Sequence, residues 1–307
     1  MPEAPVFTIL GSGFGMYGYL PALIECGIKV ALPERYAAVV GGRSELAQYL
    51  HEVIWCADRD EALAQASGAV LALRPADQVD WIARLTKTRI RDFVVEKPIA
   101  PTPQLASQLA DLFERTGKRY RVGYTFRFLP WAARLRTILG QRIDRLSLDW
   151  SFMAHHYRAN IVNWKRFDSS GGGALRFYGI HLIALFAELG YDDVESSVVS
   201  GPSDDETVSW EAIFTAKNLP PIALRVNSRA SRTCFKMTAA PQCGFLDQPD
   251  PFVSVRQNSP NARDPRVDVL AALCRSFGEA DADHAQRQRN VISLWARIEQ
   301  KSRRVQV

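Results

Sequence analysis

The feature that most constrains this chain is an apolar strand that runs straight into glycines. Val6-Phe7-Thr8-Ile9-Leu10 is followed by Gly11-Ser12-Gly13-Phe14-Gly15. A strand, a glycine-rich turn and then a helix is the context in which backbone amides can cradle a phosphate. The first glycine permits the tight turn, and the second lets the backbone approach a pyrophosphate. The third is ambiguous. Counting from Gly11 puts Met16 there, while counting from Gly13 gives Gly13, Gly15 and Gly18. A glycine-rich hairpin loop is the competing reading, and the flanking elements favour a dinucleotide over it.

The first part of the chain alternates strands and helices. Tyr19 to Ile24 begins the helix after the glycines, with a proline in its first turn. Tyr36-Ala37-Ala38-Val39-Val40 reads as the second strand, followed by a helix through Ala47 and Leu50. Ala69 to Leu73, Phe93 to Val95 and Tyr120 to Gly123 are further apolar strands. Val79, Ile82 and Leu85, then Leu105, Leu109 and Leu112, mark helical faces. Short apolar strands separated by amphipathic helices predict an α/β fold with a doubly wound parallel sheet. After Gly123 the pattern changes. Arg145 to Phe152 and Val208 to Phe214 alternate, which predicts a largely antiparallel sheet with one covered face. Gly179 to Leu189 reads as an apolar helix, residues 241–265 as a long loop, and His284 to Lys301 as a terminal helix. The expected organisation is a domain over residues 1–122 and an α+β domain over 123–307.

Composition narrows the function. The chain has 307 residues, 47% of them hydrophobic and 23% charged, which suits packed domains rather than disorder. No apolar run spans a bilayer, and the N-terminus lacks a basic leader, so no membrane association and a cytoplasmic location are expected. The net charge of +5 is spread along the chain. Without a basic stripe and interleaved aromatics, nucleic acid is not an expected partner. The five cysteines are scattered and form no Cys-x-x-Cys pair. No metal site is expected, and free thiols are the favoured reading.

Three groups of residues carry chemistry. In the strand reading above, Val39-Val40 is followed by Gly42, Arg43 and Ser44 with no carboxylate. Arg43 and Ser44 are then placed to hold an adenosine 2′-phosphate, so NADP(H) is favoured and NAD(H) remains possible. Glu96-Lys97-Pro98 ends a buried strand at the edge where doubly wound sheets bind ligands. Lys97 there can present an ammonium to a reacting oxygen. His181 follows Gly171-Gly172-Gly173 and can complete a proton-transfer pair with it. His155-His156 reads as the end of a strand, with the two rings on opposite faces.

These motifs resemble the glucose–fructose oxidoreductase, inositol dehydrogenase and rhizopine-catabolism (Gfo/Idh/MocA) family. The likeness covers most of the chain. It runs through Gly11 to Gly15, Leu20-Pro21-Ala22-Leu23, Arg74-Pro75, Glu96-Lys97-Pro98, Gly123 to Phe128, Trp164, and Gly171 to His181. The resemblance implies a Rossmann domain that binds the cofactor and a second domain that binds substrate and often forms a homodimer or homotetramer through its sheet. It implies Lys97 and His181 as catalytic residues acting on a sugar, cyclitol or nucleotide-linked sugar. The cofactor candidates are Gly11, Gly13, Phe14, Gly15, Met16, Gly42, Arg43, Ser44, Leu73, Arg74, Pro75, Glu96 and Lys97. The substrate candidates are Tyr124, Arg127, Trp164, Phe177 and Tyr178. The chain departs from the family at Phe177, which replaces a common aspartate, and at Ala184, which replaces another acidic residue. The leading expectation is an NADP(H)-dependent oxidoreductase acting on a small-molecule carbonyl, hydroxyl or imine carbon. The alternative is a catalytically degenerate NADP-binding sensor or assembly protein.

Overall fold

A computed structural model describes residues 4–241, 244–253, 263–278 and 283–307. The chain divides into two compact units, and not at a single cut. Among the described residues, the first unit holds 4–99, 109–125 and 263–278. The second holds 100–108, 126–241, 244–253 and 283–307. One boundary after residue 122 therefore misses the return of 263–278 to the first unit.

Six strands form the sheet of the first unit. They are β1 (Val6–Leu10), β2 (Lys29–Pro33), β3 (Val53–Cys56), β4 (Gly68–Leu71), β5 (Asp92–Val95) and β6 (Arg119–Val122). All pairings are parallel, in the order β3-β2-β1-β4-β5-β6. Ile9, Val30, Val70 and Val94 are buried, as expected when helices cover both faces. The helices of this stretch are α1 (Leu20–Glu25), α2 (Ala37–Gly41), α3 (Arg59–Gln65), α4 (Pro75–Leu85) and α5 (Pro103–Thr116). This strand order is that of the Rossmann fold, whose topological switch lies between β1 and β4.

The second strand differs from the sequence reading. Lys29–Pro33 is the strand, with Val30 opposite Phe7 on one side and Val53 on the other. Tyr36 closes a short helical turn, and Ala37–Gly41 is helical. Five apolar residues do not reveal their period, and the alanines there favour helix. The predicted helix through Ala47 and Leu50 is only a short turn, Ala47–Tyr49.

The second unit is built on a mixed, largely antiparallel sheet. Its strands are β7 (Arg145–Met153), β8 (Asp193–Gly201), β9 (Ser209–Ala216), β10 (Leu219–Asn227), β11 (Arg229–Ala240), β12 (Gly244–Gln248) and β13 (Ser302–Gln306). Their order is β12-β11-β7-β10-β9-β8-β13, with β7–β10 and β8–β13 parallel. Helices α6 (Pro130–Leu139), α7 (His155–Arg158) and α8 (Ile180–Leu189) precede β8. Helix α9 (Val267–Arg275) belongs to the first unit and packs on α1, while α10 (His284–Lys301) packs on α8 and β8 in the second. Alternation along β7 buries Leu146, Leu148 and Trp150. The predicted loop over 241–265 contains β12, and its stretch 254–262 lies outside the described residues, as does Cys243.

Candidate functional site

In the first unit, the glycine loop leaves β1 at the switch point. Gly11 has φ +125°, and a Cβ there would collide with the Ala72 carbonyl after β4. A Cβ on Gly15 would lie 2.7 Å from Ile9 Cγ2, whereas one on Gly13 would meet nothing within 4 Å. The three glycines thus have separate duties: Gly11 makes the turn, Gly13 leaves the loop open, and Gly15 seats the helix on β1. Gly18, third in the count from Gly13, faces the Phe14 ring, where a Cβ would lie 2.6 Å from Phe14 Cε2. Met16 is fully buried, so its side chain serves the core, while its amide donates to the Gly13 carbonyl at 2.9 Å. The loop continues into a wide, π-type helical turn, Gly15–Tyr19, that leads into α1.

A cavity of about 180 Å³ opens beside this loop. Its wall includes Gly11, Ser12, Pro33 and Tyr36 at the ends of β1 and β2, and Leu73 after β4. Arg59 and Trp81 complete it, with the Arg59 guanidinium 5.1 Å from the Trp81 ring. Arg59 is the first residue of α3. Asp58 caps α3 by accepting from the Glu61 amide at 2.9 Å, a cap worth about 1 kcal/mol. Sequence reasoning missed Pro33, Tyr36, Arg59 and Trp81 as site residues. Two of them follow from β2, whose true end is Pro33 with Tyr36 one turn later; a third, Arg59, follows a legible capping signal, Asp58-x-x-Glu61, at the start of α3.

The carboxylate-free second strand is corrected with it. Glu34 directly follows β2 and is exposed. Gly42, Arg43 and Ser44 lie beyond α2 and not at the strand end. Gly42 caps α2, and the Ser44 hydroxyl lies 3.4 Å from Glu45 Oε2. Arg43 reaches the ring of Tyr17 instead, 5.7 Å away. Arg74 and Pro75 open α4, with Pro75 buried in the first turn.

At the end of β5, Glu96 accepts a hydrogen bond from the Tyr19 hydroxyl at 2.6 Å. Burial pushes the Glu96 carboxyl up, opposed by Lys97, the Tyr19 hydrogen bond and Arg266. Lys97 is half-buried. Gln78 on α4 donates to the carbonyls of Glu96, Pro98 and Ile99 at 3.0, 2.9 and 3.3 Å. One buried amide thereby fixes the backbone on both sides of the lysine. Tyr124 is buried, and desolvation pushes its hydroxyl above the usual range.

In the second unit, His181 lies in the first turn of α8, 7% exposed, its ring stacked on Phe126 at 4.6 Å and 13°. The preceding turn, Ala174–Gly179, is again of the wide π type. It carries Phe177 and Tyr178 into an aromatic wall. Tyr178 packs on Phe152 of β7 at 4.8 Å and on Trp150 at 6.0 Å, and Trp150 packs on Phe126 at 5.4 Å. Phe177 meets Trp164 edge-on at 5.2 Å. The wall links four of the predicted residues, Trp164, Phe177, Tyr178 and His181, through rings. Arg127 is not part of it: its guanidinium pairs with Glu188 of α8 at 3.3 Å. The glycine triplet admits the backbone of another segment, since a Cβ on Gly172 would lie 2.6 Å from the Lys165 carbonyl carbon. His155 and His156 are not at a strand end. They open α7, with His155 exposed and His156 buried.

No family profile matches the chain. A curated relative, oxidoreductase cns1 of Cordyceps militaris, is 24% identical over 216 residues, 67% of this chain. The chain spans about a quarter of the length of that relative, the match covering 26% of it. Among solved structures, KijD10, a 3-ketoreductase from Actinomadura kijaniata in complex with NADP and TDP-benzene, superposes with a TM-score of 0.71. Identity is 14%, covering 99% of this chain and 100% of that one. The WlbA dehydrogenase of Thermus thermophilus, in complex with NAD and UDP-GlcNAcA, gives a TM-score of 0.70 at 15% identity, covering 99% and 97%. These likenesses show a shared fold across the length of the chain. Among the described residues, no helix is long and apolar enough to cross a membrane.

Proposed function

We propose that this chain is a nicotinamide-dependent oxidoreductase that moves hydride to or from a carbon bearing oxygen or nitrogen on a sugar-like or nucleotide-sugar substrate. The observation that carries the reading is the glycine loop. Gly11 is forced to positive φ against Ala72, Gly13 is left open, and the adjoining cavity ends in Tyr36, Arg59 and Trp81. That set fits a dinucleotide: small residues where a pyrophosphate must approach, and rings with a cation where an adenosine would rest. The solved neighbours with NADP or NAD support it. So does the curated oxidoreductase.

In this reading, Gly13, Phe14 and Gly15 hold the pyrophosphate, and Leu73, Tyr36, Arg59 and Trp81 the adenosine. The cofactor supplies or accepts the hydride. Lys97 donates a hydrogen bond to the substrate oxygen and, in the reducing direction, delivers a proton as alkoxide charge develops. His181 hydrogen-bonds the substrate. Phe177 places a ring where a carboxylate would bind hydroxyls, which favours a less hydroxylated ketone or an imine. Glu34, directly after β2, suits a free ribose 2′-hydroxyl, whereas Arg59, the cation that lines the cavity, suits a 2′-phosphate; NADP(H) is the proposed form on Arg59 rather than Arg43, with NAD(H) the competing one. The sheet of the second unit is the proposed oligomer face.

The test is nicotinamide fluorescence with NADPH, followed by turnover against a panel of carbonyl and imine compounds. Lys97→Met should keep NADPH affinity and lower single-turnover hydride transfer by about a hundred-fold. A variant as fast as the parent removes the mechanism. Binding by the parent with no turnover on any compound replaces it with a cofactor-binding sensor.

A further inference from the structure

Glu96 and Tyr19 form a pair that hydride transfer does not itself require. Tyr19 ends the helical turn that follows the glycine loop, and Glu96 directly follows β5. Their 2.6 Å hydrogen bond joins two segments 77 residues apart. The pair is packed against Gly123, where a Cβ would lie 2.7 Å from Glu96 Oε1 and 3.0 Å from the Tyr19 hydroxyl. Tyr19 in turn touches the glycine loop, its ring edge-on to Phe14 at 5.5 Å.

A cation is fixed beside the same loop. Arg266, from the segment that returns to the first unit, lies 4.2 Å over the Phe14 ring. Asp264 holds its Nε at 2.8 Å and its Nη2 at 2.7 Å. The charged and titratable groups that bear on Tyr19 and Glu96 are Lys97 beside Glu96, Arg266 before α9, and Cys274 on α9. Both cations favour an ionised Glu96, as does the Tyr19 hydroxyl, while burial opposes it. A buried carboxylate in that balance depends on each of its donors.

We propose that Tyr19 and Glu96 are positioning residues that couple occupancy of the glycine loop to the ammonium of Lys97. A ligand seated on Gly13 and Phe14 presses on the Tyr19 ring, which sets the hydrogen bond to Glu96. Ionised Glu96 then keeps the neighbouring ammonium charged and oriented. No covalent bond changes in this step. The proposal rests on the reading of Lys97 given above, but its first arm needs neither cofactor nor substrate.

The experiment is carboxyl ¹³C NMR on the full chain labelled at glutamate, with the Glu96 signal assigned by its loss in Glu96→Gln. Tyr19→Phe keeps the ring against Phe14 and deletes the donor. The Glu96 titration midpoint should then rise by about one pH unit. Saturating NADP⁺ should move the Glu96 signal in the parent and leave it nearly still in Tyr19→Phe, with affinity for NADP⁺ changed less than about three-fold. An unchanged midpoint in Tyr19→Phe overturns the pair. A parent that binds NADP⁺ without any response at Glu96 overturns the coupling. Failure to bind NADP⁺ at all overturns the cofactor reading and the coupling together, while the midpoint still judges the pair separately.

Discussion

Gly15 lies so close to Ile9 that a methyl group on its Cα would come within 2.7 Å of Ile9 Cγ2 and 3.3 Å of Ala72 Cβ. The helix after the glycine loop is therefore seated on β1 by the absence of a side chain. Gly15→Ala should overpack this contact and destabilise the protein by about 1–3 kcal/mol. Gly13→Ala meets open space, so it should leave the urea midpoint unchanged and weaken dinucleotide binding. Chemical denaturation and NADPH fluorescence on both variants test the division. Equal destabilisation by the two would show that the loop does not separate these roles.

Cofactor choice in this reading turns on the cation that lines the cavity. Arg59 lines the cavity while Arg43 lies over Tyr17. Arg59→Ala should weaken NADPH about ten-fold or more and NADH much less, as expected for loss of a charge-assisted contact to a phosphate. Arg43→Ala should change the NADPH-to-NADH ratio little. Dissociation constants for both cofactors decide it, and a loss of selectivity on Arg43→Ala alone would return the role to that residue.

Glu96 makes stability depend on pH in a stated direction. Its folded pKa is raised, with burial the first cause. As pH rises past the ordinary glutamate value, the unfolded chain ionises first, and folding loses stability until the folded pKa is passed. Glu96→Gln carries no such cost. The melting temperature of the variant minus that of the parent should grow more positive between pH 4 and pH 8. A difference that stays flat across that range would show that Glu96 ionises as it does in water.

His156 acts in the opposite sense. Burial, then Lys165, Arg166 and His155, lower its pKa from 6.5 to about 4. Its Nε2 has no hydrogen-bond partner among the described residues. The unfolded chain binds a proton below pH 6.5 that the folded chain refuses until about pH 4, so stability falls across that window. His156→Phe keeps a ring beside Tyr157, 4.4 Å away in the parent, and should flatten the slope between pH 6.5 and 4. Denaturant midpoints at several pH values in that window give the answer, and parallel slopes would discard it.

The sequence by itself was enough for β1, the glycine loop, β5, β6 and the alternating β7. Each is an apolar run bounded by a turn signal or a strict period of two, and those patterns are local. It also marked Lys97 just past a strand end, because the apolar run Phe93-Val94-Val95 stops at Glu96-Lys97-Pro98. It misjudged β2, because Val30-Ala31-Leu32 and Ala37-Ala38-Val39-Val40 are both short apolar runs. Only pairing separates them: Val30 finds Phe7 and Val53 in register, and the second run curls into α2. The cavity was likewise out of reach, since Arg59 and Trp81 come from different helices and meet only once the sheet has set their spacing. The stack of His181 on Phe126 and the bond from Tyr19 to Glu96 belong to the same class. Local patterns encode which residues are buried and with what period. Which buried group touches which is decided by chain crossings that no short window of sequence contains.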